Sequence, residues 1–185
     1  MNKAVFLDRD GTINVEKNYL YRIEDFEFLP GVINALKILQ DKRYLLIIVT
    51  NQSGIARGYY TETEYYHLNN WMLERLKHEG IYITATYYCP HHPDAIVKKY
   101  RKICECRKPQ LGMYNNAIHD YNIELSKSYS VGDKIRDCAI CCHSLCNGFL
   151  IGENEKKNII EKVKNGDFLR IRYCNDLLEA AKQIP

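Results

Sequence analysis

The chain has 185 residues, of which 46% are hydrophobic, and its formal net charge at pH 7 is +3. This length and composition favour one domain, residues 1–185, with a sizeable core and no second domain. No apolar stretch approaches the length of a membrane span, and no signal peptide is recognisable ahead of the first predicted strand, so we expect a cytoplasmic protein.

Short apolar runs alternate with helical stretches along the chain. The alternation predicts an α/β fold of three layers, in which helices cover both faces of a mostly parallel, Rossmann-like sheet. We predict strands near residues 3–8, 44–50, 82–88, 128–132, 148–151 and 168–173. We predict helices near residues 31–42, 62–79, 110–121, 134–146, 154–165 and 175–183. In the second helix, Thr61 and Glu64 indicate a capping box, and Gly80 indicates the end.

The first predicted strand ends in two carboxylates, Asp8 and Asp10, just before Gly11. Alternate residues of an extended chain point to the same side, and open α/β sheets bind ligands beyond the carboxyl ends of their strands. Two carboxylates held this close repel each other unless a cation or a proton separates them. Taken alone, the segment is equally consistent with a strand that ends in a solvated turn.

Later segments place further polar groups at predicted element ends. The second strand ends in a threonine and is followed by amides and a serine, residues 50–53. Arg107 and Lys108 precede a helical stretch, and Asp133 ends the fourth strand, with Asp137 one helical turn further on. Because these groups follow strand ends, we expect them to gather at one edge of the sheet.

The eight cysteines favour metal binding or core packing over disulfides in a cytoplasmic protein. Cys89 and His91 are separated by twelve residues from Cys104 and Cys106. Three thiolates and one imidazole are the ligand set of a closed structural zinc site, so the sequence predicts a zinc loop over residues 89–106. His92 could replace His91 as the ligand, and the alternative is a loop of unliganded thiols.

A second group of cysteines, Cys138, Cys141, Cys142 and Cys146, has offsets of three, four and eight residues. These offsets fit one face of a helix, which favours small buried thiols facing the sheet over a second metal site. Ile135, Ala139 and Leu145 are expected to extend that apolar surface, and Cys174 is expected to lie in the core.

The order of these features resembles the haloacid-dehalogenase-like (HAD) phosphohydrolases: D-x-D-G-T, a strand ending in threonine, a lysine at a helix start, and a strand ending in Gly-Asp. The likeness covers nearly the whole chain. It implies a phosphatase with the sheet of that family, and here no segment is long enough for a separate cap domain. We therefore expect loops to shield the site and the substrate to be small and highly charged.

A narrower likeness involves residues 6–14, 50–58, 88–93 and 104–109. They are similar to the branch of the family that acts on D-glycero-D-manno-heptose 1,7-bisphosphate. That branch usually has a second proline after Arg-Lys-Pro, where this chain has Gln110. The likeness implies removal of the C7 phosphate during synthesis of nucleotide-activated heptose, for a lipopolysaccharide core or surface glycan. It leaves open the anomer at C1 and whether the heptose is activated by ADP or GDP.

The implied partner is the small sugar bisphosphate, with no nucleic acid and no membrane, and we expect a monomer. The longest basic run, residues 98–102, is more typical of a solvated loop than of a nucleic-acid surface. Histidinol phosphate is an alternative substrate, although its amine needs an acidic partner. A nucleic-acid 3′-phosphatase also carries D-x-D-G-T, usually beside a kinase or docking domain. A zinc-loop module without catalysis is disfavoured because every catalytic position is filled.

The resemblance also implies roles for the residues at the strand ends. Asp8 matches the nucleophile that forms an aspartyl phosphate, and Asp10 matches the general acid and base. Magnesium is expected on Asp8, on the backbone carbonyl of Asp10 and on Asp133. Thr50 and Lys108 are expected to hold the transferring phosphoryl group.

Further residues are implied as contacts of the substrate or the metal. Arg107 carries a planar cation suited to a second phosphate, and the zinc loop would fix its position. Lys134 is expected beside the magnesium, although a surface lysine at a helix start is equally consistent, and Asp137 is expected to orient Lys134 or the metal's waters. The remaining contacts implied for the substrate are Arg9, Glu16, Lys17, Asn18, Tyr19, Thr50, Asn51, Gln52, Ser53 and Lys108.

Overall fold

The computed structural model describes residues 1–152 and 169–185. Within them, a six-stranded sheet has the order β3-β2-β1-β4-β5-β6, and every neighbouring pair of strands is parallel. All six predicted strands are confirmed, with ends shifted by a few residues. The strands are β1 Ala4–Leu7, β2 Leu45–Asn51, β3 Ala85–Cys89, β4 Tyr129–Gly132, β5 Asn147–Ile151 and β6 Ile171–Cys174.

The described α-helices are α1 Val32–Asp41, α2 Ser53–Ala56, α3 Glu62–His78, α4 Gly112–Tyr121, α5 Ala139–His143 and α6 Leu177–Gln183. The short α2 is absent from the sequence prediction, and the helix predicted near residues 154–165 lies outside the described residues. The capping box of α3 is confirmed, since Thr61 Oγ1 accepts from Glu64 N and Glu64 accepts from Thr61 N. Gly80, at φ +78°, follows the end of α3 as predicted.

The prediction of one regular helix over residues 134–146 is wrong. A 3-10 turn, Ile135–Cys138, leads into the short α5 instead. Cys138 and Cys141 are buried but Cys142 is exposed, so the four thiols do not share one buried face of a single regular helix. Cys146 is buried just before β5, Cys174 is in the core as expected, and Ala139 is buried, whereas Leu145 is exposed, contrary to the expectation.

The core forms two layers, one on each face of the sheet. In β1, Val5 and Leu7 join the layer beneath α1, α3 and α6, while Ala4 and Phe6 join the layer beneath α4. All four residues of β1 are at most 1% exposed, which explains the continuous apolar run of a central parallel strand. Among the described residues, none of the helices combines the length and the apolar character that a membrane crossing needs.

Candidate active site

Three adjacent strands deliver polar side chains to one edge of the sheet. Asp8 follows β1, Thr50 and Asn51 end β2, and Asp133 follows β4. Because β1 lies between β2 and β4, these strand ends are neighbours, as the sequence predicted. Gly11 turns the chain here with φ +84°, and an added Cβ would lie 2.6 Å from Asp133 Oδ2. Only glycine therefore fits this approach of the two loops.

Lys108 connects these strand ends. Its ammonium lies 2.9 Å from Asp8 Oδ1 and 2.7 Å from Asp137 Oδ1, and it donates to Val49 O at 2.6 Å. Asn51 holds the backbone of Lys108, with Oδ1 accepting from Lys108 N at 3.0 Å and Nδ2 donating to Lys108 O at 3.1 Å. We call Asp8, Lys108, Asp133 and Asp137 the carboxylate centre.

The carboxylate centre concentrates negative charge in a buried place. Burial raises the pKa of Asp8, Asp137 raises it further, and Lys108 opposes both. Burial and then Asp8 raise the pKa of Asp133, whose Oδ1 is buried and has no hydrogen-bond partner in residues 1–152 and 169–185. For Lys108, burial lowers the pKa, but Asp137 and Asp8 outweigh burial and raise it. The carboxylate centre thus contains one lysine whose charged form is favoured, and carboxylates whose ionised form a further cation would stabilise.

Oxygen ligands from Asp8, Asp133 and Asp137 all lie within 4.8 Å of one another. Asp137 is already engaged, because its Oδ1 pairs with Lys108 and its Oδ2 accepts from Lys134 N at 2.9 Å. The unpartnered Oδ1 of Asp133 and the carboxylate of Asp8 remain the better donors, and hard oxygen ligands of this kind suit Mg²⁺. Lys134 Nζ lies 2.9 Å from Asp133 Oδ2, which places this lysine beside the candidate metal position.

Asp10 lies in a different environment from Asp8. Its carboxylate accepts from Arg9 Nη2 at 2.9 Å, from Gln52 Nε2 at 2.8 Å and from Asn14 Nδ2 at 3.0 Å. Burial alone would raise the pKa of Asp10, but Arg9 and these hydrogen bonds outweigh burial and hold it below its ordinary value. Two carboxylates of one motif therefore have pKa values shifted in opposite directions.

A cavity of about 260 Å³ opens beside Asp10. Of the residues predicted to contact the substrate, those that line it are Glu16, Asn18, Tyr19, Asn51, Gln52, Ser53 and Arg107. Lys17 lies in a neighbouring hollow and pairs with Glu27 at 3.4 Å. Arg9 is 1% exposed and contacts Asp10 and Gln52, so it lies behind Asp10 rather than in the cavity wall. Thr50 is 1% exposed, and its Oγ1 accepts from Gln52.

Sequence analysis missed three residues that line the same cavity: Arg57, Tyr60 and Arg136. Tyr60 donates to Gln52 Oε1 at 2.5 Å and thereby fixes the amide that contacts Asp10. Arg57 lies in the quoted segment 50–58, and Arg136 follows Lys134 by two positions. The sequence shows that Arg57 follows β2 and that Arg136 follows β4, which was the available sign that they belong to the site. It did not show that their side chains point into the cavity.

The second group of metal-type ligands lies at the end of β3 and in the loop after it. The sulfur atoms of Cys89, Cys104 and Cys106 are 3.0 to 3.5 Å apart, and His91 Nδ1 is 3.3 Å from Cys106 Sγ. Ligands around a tetrahedral zinc ion with Zn–S bonds of about 2.3 Å are separated by about 3.7 Å, so this group fits zinc. We call Cys89, His91, Cys104 and Cys106 the thiol cluster.

The structure distinguishes the two histidines at this loop. His91 joins the thiols, whereas His92 Nε2 lies 3.3 Å from Arg57 Nη2 and His92 Nδ1 accepts from Asp94 N. Burial, hydrogen bonding to Cys106 and contact with Cys104 raise the pKa of Cys89, so a thiolate there needs a cation. The thiol cluster thus carries the donor set that the sequence predicted, with His91 as its imidazole.

The loop that carries the thiol cluster is also attached to helix α3. Glu62 accepts from Tyr88, which precedes Cys89, and from Tyr100 within the loop. Arg107 follows the last cysteine and donates to His91 O at 3.2 Å. Burial and the nearby arginines lower the pKa of Arg107, while Cys89 and Cys104 oppose this effect. The loop therefore brings a partly buried cation to the cavity.

Comparison with known proteins gives consistent results. A family model described as "Polynucleotide kinase 3 phosphatase" matches residues 3–168. The D-glycero-beta-D-manno-heptose-1,7-bisphosphate 7-phosphatase of Haemophilus ducreyi is 52% identical over 136 residues, which are 73% of this chain and 74% of that protein. The protein of the same name from Escherichia coli K12 is 47% identical over 134 residues, which are 72% of this chain and 70% of that protein.

Solved structures agree with these relatives. The crystal structure of D,D-heptose 1.7-bisphosphate phosphatase from B. bronchiseptica, complexed with magnesium and phosphate, has a TM-score of 0.83 and 30% identity, and covers 98% of this chain and 97% of that chain. A HAD-like phosphatase from Mesorhizobium loti has a TM-score of 0.77 and 32% identity, and covers 82% of this chain and 74% of that chain.

Proposed function

Because the chain belongs to the heptose-1,7-bisphosphate phosphatases of the HAD superfamily, within the polynucleotide kinase 3 phosphatase family, we propose that it removes the C7 phosphate of D-glycero-β-D-manno-heptose 1,7-bisphosphate. The chain is a phosphatase, and the proposal concerns its substrate and mechanism. The β anomer is proposed because the similar curated proteins carry it in their names. One observation carries the substrate proposal: Asp10 and Arg107 line the same cavity, so one molecule can meet both.

In the first step, Asp8 attacks the phosphorus atom and the bond to the sugar oxygen breaks, which leaves an aspartyl phosphate. The departing oxygen takes a proton from Asp10. In the free protein Asp10 is held ionised, and the approach of a negatively charged phosphate raises its pKa, so substrate binding itself favours the protonated form. Lys108 and Thr50 stabilise the transferring group, and Asn51 holds Lys108 in place.

In the second step, Asp10 takes the proton from a water molecule, and that water attacks the phosphorus of the aspartyl phosphate. The products are inorganic phosphate and a free Asp8. The hydrogen bonds from Arg9, Gln52 and Asn14 favour the ionised form of Asp10, which is the form this step needs. One carboxyl group can therefore serve both steps because the substrate changes its environment between them.

The residues of the carboxylate centre fit a magnesium ion. Asp8, Asp133 and the backbone carbonyl of Asp10 would hold it, and the unpartnered, buried Oδ1 of Asp133 supports this fit. Magnesium supplies charge neutralisation of the phosphoryl oxygens. The similar B. bronchiseptica enzyme was crystallised with magnesium and phosphate. We likewise propose one structural zinc ion in the thiol cluster, where three sulfur atoms and one imidazole converge.

We propose that Arg107 binds the phosphate that is not cleaved. Arg107 directly precedes Lys108 in the chain, so adjacent residues would bind the two phosphates. Its guanidinium lines the cavity and is half-buried, and a planar cation in such a place binds phosphate through paired hydrogen bonds. The thiol cluster would act by fixing this side chain rather than by chemistry.

A turnover assay tests the proposal. Three substrates are compared at equal magnesium concentration: the β heptose bisphosphate, histidinol phosphate and a 3′-phosphorylated oligonucleotide. We expect kcat/KM for the bisphosphate to exceed the other two values by at least about a hundredfold, the discrimination that a buried charged contact provides. A higher kcat/KM for histidinol phosphate would contradict the proposal and would indicate that Glu16 binds the amine of that substrate. A higher kcat/KM for the oligonucleotide would indicate that the cavity binds nucleic acid.

A further inference from the structure

Three arginines from separate parts of the chain line one cavity. Arg57 follows α2, Arg107 follows the thiol cluster, and Arg136 lies in the 3-10 turn after β4. The same cavity of about 260 Å³ is lined by Asp10, so it is open to the proposed general acid. Only Arg107 has so far been given a role. The other two cations are part of the wall and need an explanation.

Within the described part of the chain, these arginines form no close ion pair with a carboxylate, although Arg136 is near enough to Asp133 to oppose the rise that burial causes in the pKa of that carboxyl. Among residues 1–152 and 169–185, no carboxylate oxygen lies within 4.0 Å of a nitrogen atom of Arg57, Arg107 or Arg136. The acidic groups of the cavity pair with other cations: Asp10 with Arg9, and Glu16 with Lys134. Like charges gathered in one cavity without carboxylate partners form an anion-binding arrangement.

Part of the hydrogen-bonding capacity of these arginines is also unused. The Nε atoms of Arg57 and Arg136 are buried and have no hydrogen-bond partner among the residues that the structure describes. A buried donor without an acceptor is costly unless a ligand supplies one. Arg107 makes one bond, to His91 O. A phosphate offers several oxygen acceptors and negative charge, which is what this part of the cavity lacks.

The contact between Arg57 and His92 points the same way. His92 Nδ1 accepts from Asp94 N at 3.1 Å, so the neutral ring carries its hydrogen on Nε2. Nε2 lies 3.3 Å from Nη2 of Arg57, which is itself a donor. Two donors therefore face each other without an acceptor between them. An anion oxygen placed against this pair would accept from both.

We propose that Arg57 and Arg136 are specificity-determining residues, which bind the uncleaved phosphate of the substrate together with Arg107. The inference rests on the proposed function and adds two residues to it. Arg57 and Arg107 both touch the loop of the thiol cluster, through His92 and His91 O. Arg136 belongs to the turn after β4, so its backbone is not held by that loop. Arg136 should therefore keep its contribution when the thiol cluster loses its metal.

The test uses the full-length metal-loaded enzyme and two substrates, the β heptose 1,7-bisphosphate and the 7-phosphate of the same sugar. We expect Arg136→Gln and Arg57→Gln each to lower the ratio of the two kcat/KM values about tenfold, as loss of one charge-assisted hydrogen bond does. Arg136→Lys should recover part of the ratio, because it restores charge without the fork. Arg172→Gln, at an exposed arginine in β6, is the matched control and should leave the ratio as it is.

Product inhibition gives a second readout. The sugar 1-phosphate product retains the uncleaved phosphate, whereas inorganic phosphate reports on the carboxylate centre. Arg136→Gln should raise the inhibition constant of the sugar 1-phosphate about tenfold, and should raise that of inorganic phosphate far less. Thermal unfolding of each variant shows whether the fold is retained, and Arg57→Gln stands in if Arg136→Gln does not fold.

The outcomes separate the two proposals. If the wild type does not prefer the bisphosphate, the proposed function fails whatever the variants do. If the wild type prefers it and both variants keep the ratio, the inference is wrong and the proposed function stands. Equal losses on both substrates would assign these arginines to the cleaved phosphate or to the fold. A selective loss of activity on a 3′-phosphorylated oligonucleotide would assign them to nucleic acid, which also overturns the inference.

Discussion

The carboxylate centre and the thiol cluster differ in where the sheet holds them. Asp8 and Asp133 follow β1 and β4, which are paired on both sides, whereas Cys89 ends β3, which lies at the edge of the sheet. The carboxylate centre is buried and built from oxygen donors around Lys108. The thiol cluster gathers sulfur donors and one imidazole from a strand end and a loop.

This difference separates two tasks that metals perform in proteins. A hard cation among carboxylates changes the charge on reacting oxygens, while a thiolate site with no free position holds a loop. Arg107 and Lys108 are adjacent in the chain, yet Lys108 belongs to the carboxylate centre and Arg107 lies in the loop of the thiol cluster. We therefore expect damage to the carboxylate centre to abolish turnover, and damage to the thiol cluster to change selectivity.

The largest effect is expected from Asp8→Asn. The amide has nearly the same shape and can still accept from Lys108, but it is a poor nucleophile, so turnover of every substrate should become unmeasurable. Because burial and Asp137 disfavour the charged form of Asp8, the neutral amide should leave Tm equal to or above that of the wild type. Steady-state kinetics and thermal unfolding check both statements.

The control for this variant is Asp41→Asn, at an exposed carboxylate at the end of α1, which should keep full activity. Substantial turnover by Asp8→Asn would mean that the covalent step takes place on another residue. The carboxylate centre would then be structural, and the distinction drawn from the thiol cluster would lose its basis.

A smaller loss is expected from Asp10→Asn. General acid and base catalysis contributes about a hundredfold or more, and both steps use Asp10, so formation and hydrolysis of the aspartyl phosphate should both slow by at least this factor. Magnesium affinity should change little, because the expected metal contact is through the backbone carbonyl. Rapid-quench measurement of each step and a magnesium titration provide the test. Slowing of only one step would show that another group acts in the other.

Arg107→Ala extends the comparison to the thiol cluster. It should lower kcat/KM for the bisphosphate by an amount equivalent to about 2 kcal/mol of lost transition-state stabilisation. The kcat/KM for the sugar 7-phosphate should change little, because that molecule lacks the second phosphate. Removal of zinc with a thiol-reactive reagent should give the same selective loss, because the loop that positions Arg107 would loosen. Equal losses on both substrates would contradict the separation of tasks and assign Arg107 to the cleaved phosphate or to the fold.

The strands and the ligand types could be predicted from the sequence for physical reasons. A central parallel strand is buried on both faces, so Val5, Phe6 and Leu7 read as one continuous apolar run, and the polar residue that follows must lie at the edge of the sheet. Cys89, His91, Cys104 and Cys106 were identifiable because thiolate and imidazole ligands of zinc occur at short spacings. These features depend on residues that are close in sequence.

Contacts between distant residues could not be predicted in this way. Asp137 was expected to orient Lys134 or waters. Its carboxylate also pairs with Lys108, a residue twenty-nine positions earlier in the chain. In the short helix that follows the turn, Cys142 is exposed and Cys141 is buried. Arg57, Arg107 and Arg136 line one cavity only because the fold brings three separate segments together. The sequence therefore showed which charged and sulfur-containing side chains are present, but not which distant residues they contact.

The smallest effect on activity, and a direct test of the thiol cluster, concerns metal content. Protein purified without chelators should contain about one tightly bound zinc ion per chain, held by three thiolates and one imidazole. Cys104→Ser removes one thiolate and should lower the zinc content measured by elemental analysis, with turnover of the sugar 7-phosphate largely retained. Cys142→Ala is the matched control, since this cysteine is exposed and outside the cluster, and it should leave zinc content and activity unchanged.

Three results would contradict this division of the cysteines. Two zinc ions per chain would mean that buried thiols such as Cys138 and Cys141 also bind metal. The absence of zinc would leave the loop to be held by hydrogen bonds, such as those from Tyr88 and Tyr100 to Glu62. Loss of all turnover on zinc removal would make the thiol cluster as essential as the carboxylate centre. A retained sheet with reduced selectivity is expected instead, because β3 lies at the edge, and Asp8 and Asp133 follow β1 and β4, which keep each other as partners without it.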